Sequence, residues 1–398
     1  MLVVRPEDLI LTCVGRRSLD PAGAERLRQL LGAELNWEYL LARADQHCLM
    51  PLLCFHLNAV PSSLVPQRVI SRLKDAAQEN TRSSLFLTGE LLKVLEFLEG
   101  NNIRAIPFKG PMLALQAYGD VGLRQFADLD ILIHRSDVLR AKQLLISCGF
   151  KPMPELTTAQ QAALLRFDCA YNFDNGQGIV LDLHWGFVER HLSFQIDSNG
   201  LWDRLEPITI GGRQLLTLSS EDLVLILCLH GFTHFWDRLG WICDIANLID
   251  RQRDIDWELV LKNATRLGML RILSLGLRLA VELLEAQLPR EILTVVLADH
   301  EVQKVSEQVQ ERVFAERGVQ DGLFDRAGLF LSMRERTRDK IRCCFSLIAT
   351  PRIYDWMFLS LPDSLFFLYY LVRPFRLAGK YGRWLKGSHH TDTPITRH

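Results

Sequence analysis

The sequence lacks several features that would indicate a membrane, secreted or nucleic-acid-binding protein. The formal net charge is −1 over 398 residues, so no overall field attracts nucleic acid or an anionic membrane. No run of about 18 uninterrupted apolar residues occurs, which argues against a membrane-spanning helix. The N-terminus has no basic region followed by an apolar run, so we expect no signal peptide and a cytoplasmic location.

The cysteines follow no pattern that would hold a metal or a disulfide framework. There are nine of them, scattered along the chain, and no C-x-x-C pair is present. An odd number without paired spacing argues against structural zinc, so we expect reduced, buried thiols. Hydrophobic residues make up 48% of the chain and charged residues 23%, as in ordinary globular proteins.

Apolar spacing divides the chain into three regions and a tail. Residues 1–100 carry apolar side chains at three- and four-residue spacing, which predicts an N-terminal helical region. Over 101–218, short apolar runs alternate with Gly-containing turns and helical stretches, so we expect an α/β (α+β) core with a mixed sheet. Helical spacing returns over 219–385 as a C-terminal helical domain, and 386–398 reads as a disordered tail.

Two carboxylates, Asp128 and Asp130, stand one residue apart at the head of the apolar run Asp-Leu-Asp-Ile-Leu-Ile. On a strand, residues two apart project from the same face. Carboxylates held side by side repel each other unless a cation lies between them. Magnesium bound by one or two carboxylates and by substrate phosphates is a common arrangement. The pattern therefore indicates metal-assisted phosphoryl or nucleotidyl transfer.

A third acid, Asp182, lies between apolar residues in a later predicted strand. A lone carboxylate inside a sheet is costly unless it is paired or bound to a metal. Next to Asp128 and Asp130 it would complete a three-carboxylate site suited to two metal ions. His184 shares its strand face, either as a proton shuttle or in a structural hydrogen bond.

Two segments carry a family resemblance. F-K-G-P-M-L-A-L (108–115) and Y-G-D-x-x-x-R-x-x-x-D-L-D-I-L-I (118–133), followed by a strand with one acid, are similar to the bacterial uncharacterised nucleotidyltransferase family of the polymerase-β-like superfamily. Further similar segments lie at 181–185, 230–246 and 369–374. The resemblance thus extends over roughly 30–380.

The resemblance implies a magnesium-dependent nucleotidyltransferase that moves NMP from an NTP to an acceptor and releases pyrophosphate. Asp128, Asp130 and Asp182 would be its catalytic residues and the ligands of two magnesium ions, with manganese as an alternative. Lys109 and Gly110 occupy the position of the turn that cradles the phosphates. Many members of the superfamily have Gly-Ser at this turn, whereas Lys-Gly-Pro supplies no hydroxyl here.

Several other polar side chains are candidates for the cleft. Arg124 would bind nucleotide phosphate or brace the carboxylates through a bidentate pair. His230 and His234 lie four residues apart and share a helix face, which Arg238 extends by one turn. With Asp244 on the next helix, these residues either line the cleft or form a rival transition-metal site.

Two further functional classes remain open from the sequence. One is a non-catalytic nucleotide-binding or interaction protein that keeps the fold, and the other is a phosphohydrolase or other metal enzyme built on the two histidines. No motif specifies the acceptor (protein, peptide, sugar or another small molecule), and there is no strong nucleic-acid signal. Residues 365–384 are apolar and aromatic, then basic. They favour a helix docked against the body, with peripheral membrane contact as the alternative.

Overall fold

The computed structural model describes residues 5–188, 198–315 and 323–384. The predicted tail at 386–398 lies outside the described residues. The α-helices are α1 (Pro6–Val14), α2 (Pro21–Leu31), α3 (Trp37–Gln46), α4 (Met50–Leu57), α5 (Gln67–Gly100), α6 (Gly110–Leu113), α7 (Val138–Ser147), α8 (Thr158–Phe167), α9 (Ser198–Trp202), α10 (Ser220–Thr233), α11 (Leu239–Arg251), α12 (Trp257–Leu267), α13 (Leu270–Leu284), α14 (Arg290–Ala298), α15 (His300–Phe314), α16 (Leu323–Ser332), α17 (Thr337–Ala349), α18 (Ile353–Phe358) and α19 (Tyr369–Trp384). The strands are β1 (Ala105–Pro107), β2 (Asp128–Ile133), β3 (Lys151–Met153), β4 (Ala170–Asp174), β5 (Val180–His184), β6 (Glu206–Ile210) and β7 (Arg213–Thr217).

The strands before β6 form one five-stranded mixed sheet in the order β1-β2-β5-β4-β3. Strands β2 and β5 run parallel, while the other neighbours are antiparallel. The expected mixed sheet is therefore confirmed. Its buried face carries Leu129, Ile131, Leu181 and Leu183, each fully shielded from solvent. Because side chains alternate along a strand, the intervening acids must project from the opposite face.

The long helix α5 and the turn after it position β1. Its apolar stripe, which includes Leu91, Leu95 and Leu98, packs into the same hydrophobic cluster as the sheet. The helix ends at Gly100, and Asn102 takes a left-handed conformation (φ 56°) that turns the chain into β1. A left-handed residue after a helix C-terminus is the usual way to reverse direction, and Asn tolerates it better than most residues.

The first helices and the helices after β7 share one hydrophobic core, although the sheet separates them in sequence. Buried residues of α1 and α4 lie in the same cluster as those of α10 through α13. Polar contacts reinforce this packing: Asn247 Nδ2 donates to the Gly15 carbonyl at 2.8 Å, and the Arg16 guanidinium pairs with Asp250 at 2.7 Å. Helix α10 begins after Ser219, whose hydroxyl accepts from the Asp222 amide. This helical body thus forms a support beside the sheet.

In the described part of the chain, no helix is both long and apolar enough to cross a bilayer.

Candidate active site

The register of β2 and β5 brings two acids face to face. Asp130 is the direct neighbour of Asp182, and Leu132 is the neighbour of His184. One ligand atom from each of Asp130, Asp182 and His184 lies within 4.8 Å of the others. Asp128, two residues before Asp130 on the same strand face, stands outside this tight group. The sheet therefore assembles an acidic cluster, defined here as Asp128, Asp130 and Asp182.

The turn after β1 places the ammonium group of Lys109 beside this cluster. Lys109 Nζ lies 3.2 Å from Asp130 Oδ1, and the lysine side chain is only 14% exposed. Gly110 follows with φ 49°, and a Cβ there would lie 3.3 Å from the Asp128 carbonyl oxygen. A left-handed conformation with so little space favours glycine. The predicted lysine and glycine therefore adjoin the predicted aspartates.

The cluster holds more negative charge than its protein surroundings neutralise. Burial, and then repulsion from Asp130, raise the pKa of Asp128 to about 6. Burial is also the main reason why the pKa of Asp182 is raised. Burial acts in the same direction on Asp130, but Lys109 and the hydrogen bond from His184 outweigh it and hold its pKa below the usual range. Such opposed shifts among neighbouring carboxyl groups are typical of functional sites.

His184 is held against Asp130. Its Nε2 lies 2.9 Å from Asp130 Oδ1, and its ring packs edge-on against Phe108 with centroids 5.1 Å apart. Nδ1 is buried, and no hydrogen-bond partner for it lies among the described residues. The contact with the Asp130 carboxylate assigns a donor hydrogen to Nε2, because a carboxylate oxygen accepts. Of the two interpretations of His184, the structure shows the hydrogen bond.

Asn172 completes the surroundings of Asp182, and sequence reasoning missed it. It lies opposite Asp182 on the antiparallel neighbour β4, and its Nδ2 donates to Asp182 Oδ1 at 2.6 Å. A signal was present, since a polar residue at the centre of an alternating strand must face the same side as its cross-strand partner. This signal identifies Asn172 as a partner of Asp182 only when the register of β4 against β5 is known.

Arg124 makes a bidentate pair, but its partner is Asp244 rather than a carboxylate of the acidic cluster. Nε and Nη2 of Arg124 donate to the two Asp244 oxygens at 2.9 and 3.0 Å. Tyr118 also donates to Asp244, at 2.9 Å. The three side chains join the sheet region to α11. The expectation that Arg124 braces the cluster is thus replaced by a bracing of the helical body.

The rival metal site is not assembled. His230 and His234 do lie together, with ring centroids 4.5 Å apart, but Asp244 is held by Arg124 and Tyr118. Within the part of the chain that the structure describes, the one group with metal-binding spacing is Asp130, Asp182 and His184.

The two histidines instead form an aromatic cluster with Trp241, whose ring centroid lies 5.5 Å from that of His230 and 5.2 Å from that of His234. The Arg238 guanidinium lies 5.8 Å from the Trp241 ring centre. Burial, followed by the charge of Lys109, lowers the pKa of His230 well below its ordinary value. A neutral imidazole at this place keeps further positive charge away from Lys109.

A protein-family model described as "Uncharacterised nucleotidyltransferase" matches residues 33–285, which is more than half of the chain. The chain belongs to the uncharacterised nucleotidyltransferase family. All predicted site residues lie inside the matched range, whereas 365–384 lies beyond it. The family match is therefore shorter than the expected span of roughly 30–380.

Comparison with solved structures gives a weaker similarity. An antigenic nucleotidyltransferase-like protein from Paracoccidioides brasiliensis is 18% identical, with a TM-score of 0.28 over 55% of this chain and 96% of that one. A likeness at that level says nothing about individual residues. No curated protein matches the chain. The family assignment thus rests on the family model.

Proposed function

We propose that this family member transfers a nucleoside monophosphate from an NTP to an acceptor and releases pyrophosphate. The observation that carries the proposal is the β2–β5 register, which sets Asp130 opposite Asp182 in a chain of the nucleotidyltransferase family. Carboxylate oxygens are the ligands that magnesium prefers, and manganese accepts the same oxygens together with an imidazole. Magnesium is the expected cofactor, with manganese as the alternative.

The electrostatics of the acidic cluster favour the binding of a divalent cation. Asp128 and Asp182 both repel the charge on Asp130, and Lys109 offers a single ammonium to Asp130. The raised pKa values of Asp128 and Asp182 show that charge on these groups is penalised as the residues stand. Asp130 and Asp182 would hold the cation, with Asp128 beside them. When bound, it would supply positive charge to the reacting phosphate.

Lys109 and Gly110 have a second task in this proposal. Lys109 is a compact charge at the start of α6, where it can neutralise a triphosphate oxygen. Gly110 lets the backbone pass close to β2, so that the turn and the acids would contact the same phosphate group. Both residues act on the donor nucleotide.

Asp182 is the proposed general base. Its raised pKa and its position 2.6 Å from the Asn172 amide nitrogen suit a carboxylate that accepts a proton from an acceptor hydroxyl. The acceptor oxygen would form a bond to the α-phosphorus, the bond to the leaving pyrophosphate would break, and the hydroxyl proton would pass to Asp182. The aromatic cluster of His230, His234 and Trp241 would contact the base or the acceptor.

The first experiment is a thermal-shift series with ATP, CTP, GTP and UTP, each with and without magnesium. Wild type is compared with Asp130→Asn and with the matched control Asp174→Asn. Asp174 lies on β4 of the same sheet, and its oxygen accepts from the Gly176 amide, a contact that asparagine can keep. We expect a magnesium-dependent shift that Asp130→Asn abolishes and Asp174→Asn preserves.

Turnover is measured as pyrophosphate release on the same proteins. A preferred NTP that yields pyrophosphate in wild type and in Asp174→Asn, but not in Asp130→Asn, supports the proposal. An equal shift in wild type and Asp130→Asn would remove the acidic cluster from nucleotide binding. Stabilisation by nucleotide without pyrophosphate release from any acceptor pool would favour the non-catalytic binding protein.

A further inference from the structure

Exposed apolar side chains concentrate in one stretch of the C-terminal helices. Of the twenty large hydrophobic side chains that are exposed in the described residues, twelve lie between 341 and 375. They are Ile341, Phe345, Ile348, Tyr354, Met357, Phe358, Leu359, Leu365, Phe367, Tyr370, Leu371 and Phe375. Soluble proteins scatter such residues singly, and a concentration of them marks an interaction surface.

Helix α17 presents one apolar stripe to solvent. Ile341, Phe345 and Ile348 follow a four- and three-residue spacing, so they lie on one helix face. Their exposed fractions are 66%, 73% and 55%. Cys343, on another face, is completely buried. The helix is therefore docked through one face while its apolar stripe has no cover among the described residues.

Helix α19 is anchored and exposed in the same way. Tyr369 is fully buried, and its hydroxyl donates to the Leu359 carbonyl at 2.7 Å. Arg373 donates to the buried carboxylate of Asp355 at 2.8 Å. Phe375, two residues beyond Arg373, is nonetheless 77% exposed. Tyr369 also shares the hydrophobic cluster of the sheet, so the segment packs against the body as expected while Phe375 stays exposed.

The charge of this region differs from that of the chain. Residues 337–384 contain eight Lys and Arg against three Asp and no Glu, whereas the whole chain has a net charge of −1. Helical spacing puts Arg338 and Arg342 beside the stripe on one flank and Lys340 on the other. In the described part of the chain, Lys340 and Arg342 form no ion pair, whereas Arg338, whose side chain is 80% exposed, lies 3.6 Å from the carboxylate of the adjacent Asp339. The apolar stripe therefore has a cationic border.

We propose that α17, α19 and the segment between them form a peripheral binding surface for an anionic bilayer, with Phe345 and Phe375 entering the headgroup–acyl boundary. An apolar helix face bordered by Lys and Arg is the arrangement that lies in the plane of a membrane interface. Each cation near an anionic leaflet adds attraction. The surface lies after residue 285, outside the range that the family model matches.

The test is cosedimentation of the full chain with two kinds of vesicle, phosphatidylcholine alone and phosphatidylcholine mixed with phosphatidylglycerol. Three variants accompany wild type: Phe345→Ser with Phe375→Ser, Arg338→Gln with Arg342→Gln, and Phe86→Ser. Phe86 is the matched control, since it is 52% exposed on α5 and far from the patch in sequence. All the replaced side chains are exposed, so circular dichroism should show an unchanged fold.

We expect wild type and Phe86→Ser to sediment with the anionic vesicles and to bind neutral ones far less. The double phenylalanine variant should lose sedimentation, and the double arginine variant should bind more weakly by roughly fivefold per charge removed. Wild type that stays in solution with anionic vesicles overturns the proposal. So does a concentration-dependent dimer that disappears in the double phenylalanine variant without any vesicle binding, because the face would then join two copies of the chain.

Discussion

Lys109 and Asp130 form a buried ion pair that closes the acidic cluster from one side, with Nζ 3.2 Å from Oδ1. The lysine follows β1 and the aspartate lies on β2, and these strands pair with Pro107 opposite Ile131. Burial alone would lower the pKa of Lys109, but Asp130 and Asp128 outweigh it and raise the pKa. A divalent cation bound at Asp130, as proposed, would therefore compete with this ammonium for the carboxylate.

Lys109→Met should separate the ion pair of Lys109 with Asp130 from its proposed contact with a nucleotide phosphate. Without the ammonium, the buried Asp130 loses its charge partner, so we expect the metal-free protein to lose about 3–5 kcal/mol of stability. Manganese or magnesium should then bind more tightly and restore more stability than in wild type, while the KM for NTP rises because a phosphate contact is gone. Calorimetric metal titration and thermal unfolding measure the first effect, and steady-state kinetics the second. Weaker metal binding in Lys109→Met would contradict the competition.

Asp128→Asn should stabilise the metal-free protein and abolish its function. The pKa of Asp128 is raised to about 6, so the folded state binds this proton more tightly than the unfolded chain does. Stability is then highest below the unfolded pKa of about 4 and falls as the pH rises through about 6. At pH 7.5, removing the charge should add on the order of 2 kcal/mol.

The measurement for Asp128→Asn is the melting temperature from pH 3 to pH 8, without metal. The advantage over wild type should disappear below about pH 4, where the wild-type carboxyl group is protonated in both states. Magnesium should stabilise wild type more than the variant, because the variant lacks one of the negative charges that would attract the cation. An Asp128→Asn protein that is less stable than wild type at pH 7.5 would show that this carboxylate is already compensated.

The sequence was most informative where a local rule applies. Alternation along a strand placed Asp128 and Asp130 on one face, and the lone acid in a second strand predicted Asp182. These placements needed only strand periodicity. The position of Lys109 and Gly110 at the phosphate-binding turn came instead from the family resemblance.

Contacts between distant elements could not be predicted in this way. Arg124 and Asp244 are 120 residues apart, and neither helical spacing nor charge names one as the partner of the other. The shared core of the first helices and α10 through α13 is equally invisible, because apolar stripes show which face is buried but not what covers it. Asn172 could be placed beside Asp182 only if the register of the β4–β5 hairpin was known, and a shift of one residue would turn its side chain to the other face of the sheet.

The Arg124–Asp244 pair should be a major support between sheet and helical body. Its side chains are 14% and 4% exposed, so a lone Asp244 carboxylate would be buried with Tyr118 as its remaining donor among the described residues. We expect Arg124→Met to cost about 3–5 kcal/mol, and the double variant with Asp244→Asn to recover part of that loss. Urea unfolding of wild type, both single variants and the double variant measures the coupling. Strictly additive losses would mean that the two side chains act independently.

His56 should make the helical body sensitive to acid. The ring is buried with Nε2 2.6 Å from the Arg16 carbonyl oxygen, and burial lowers its pKa below the ordinary 6.5. The unfolded chain therefore binds this proton more tightly, so stability is complete above about pH 6.5 and is lost as the pH falls below it.

His56→Gln keeps a donor for the carbonyl but cannot titrate. Its melting temperature should fall less than that of wild type between pH 7 and pH 5, although buried His230 keeps some dependence. The exposed His300→Gln is the control and should follow wild type. If His56→Gln and wild type lose stability in parallel, protonation of His56 does not limit the acid stability of the fold.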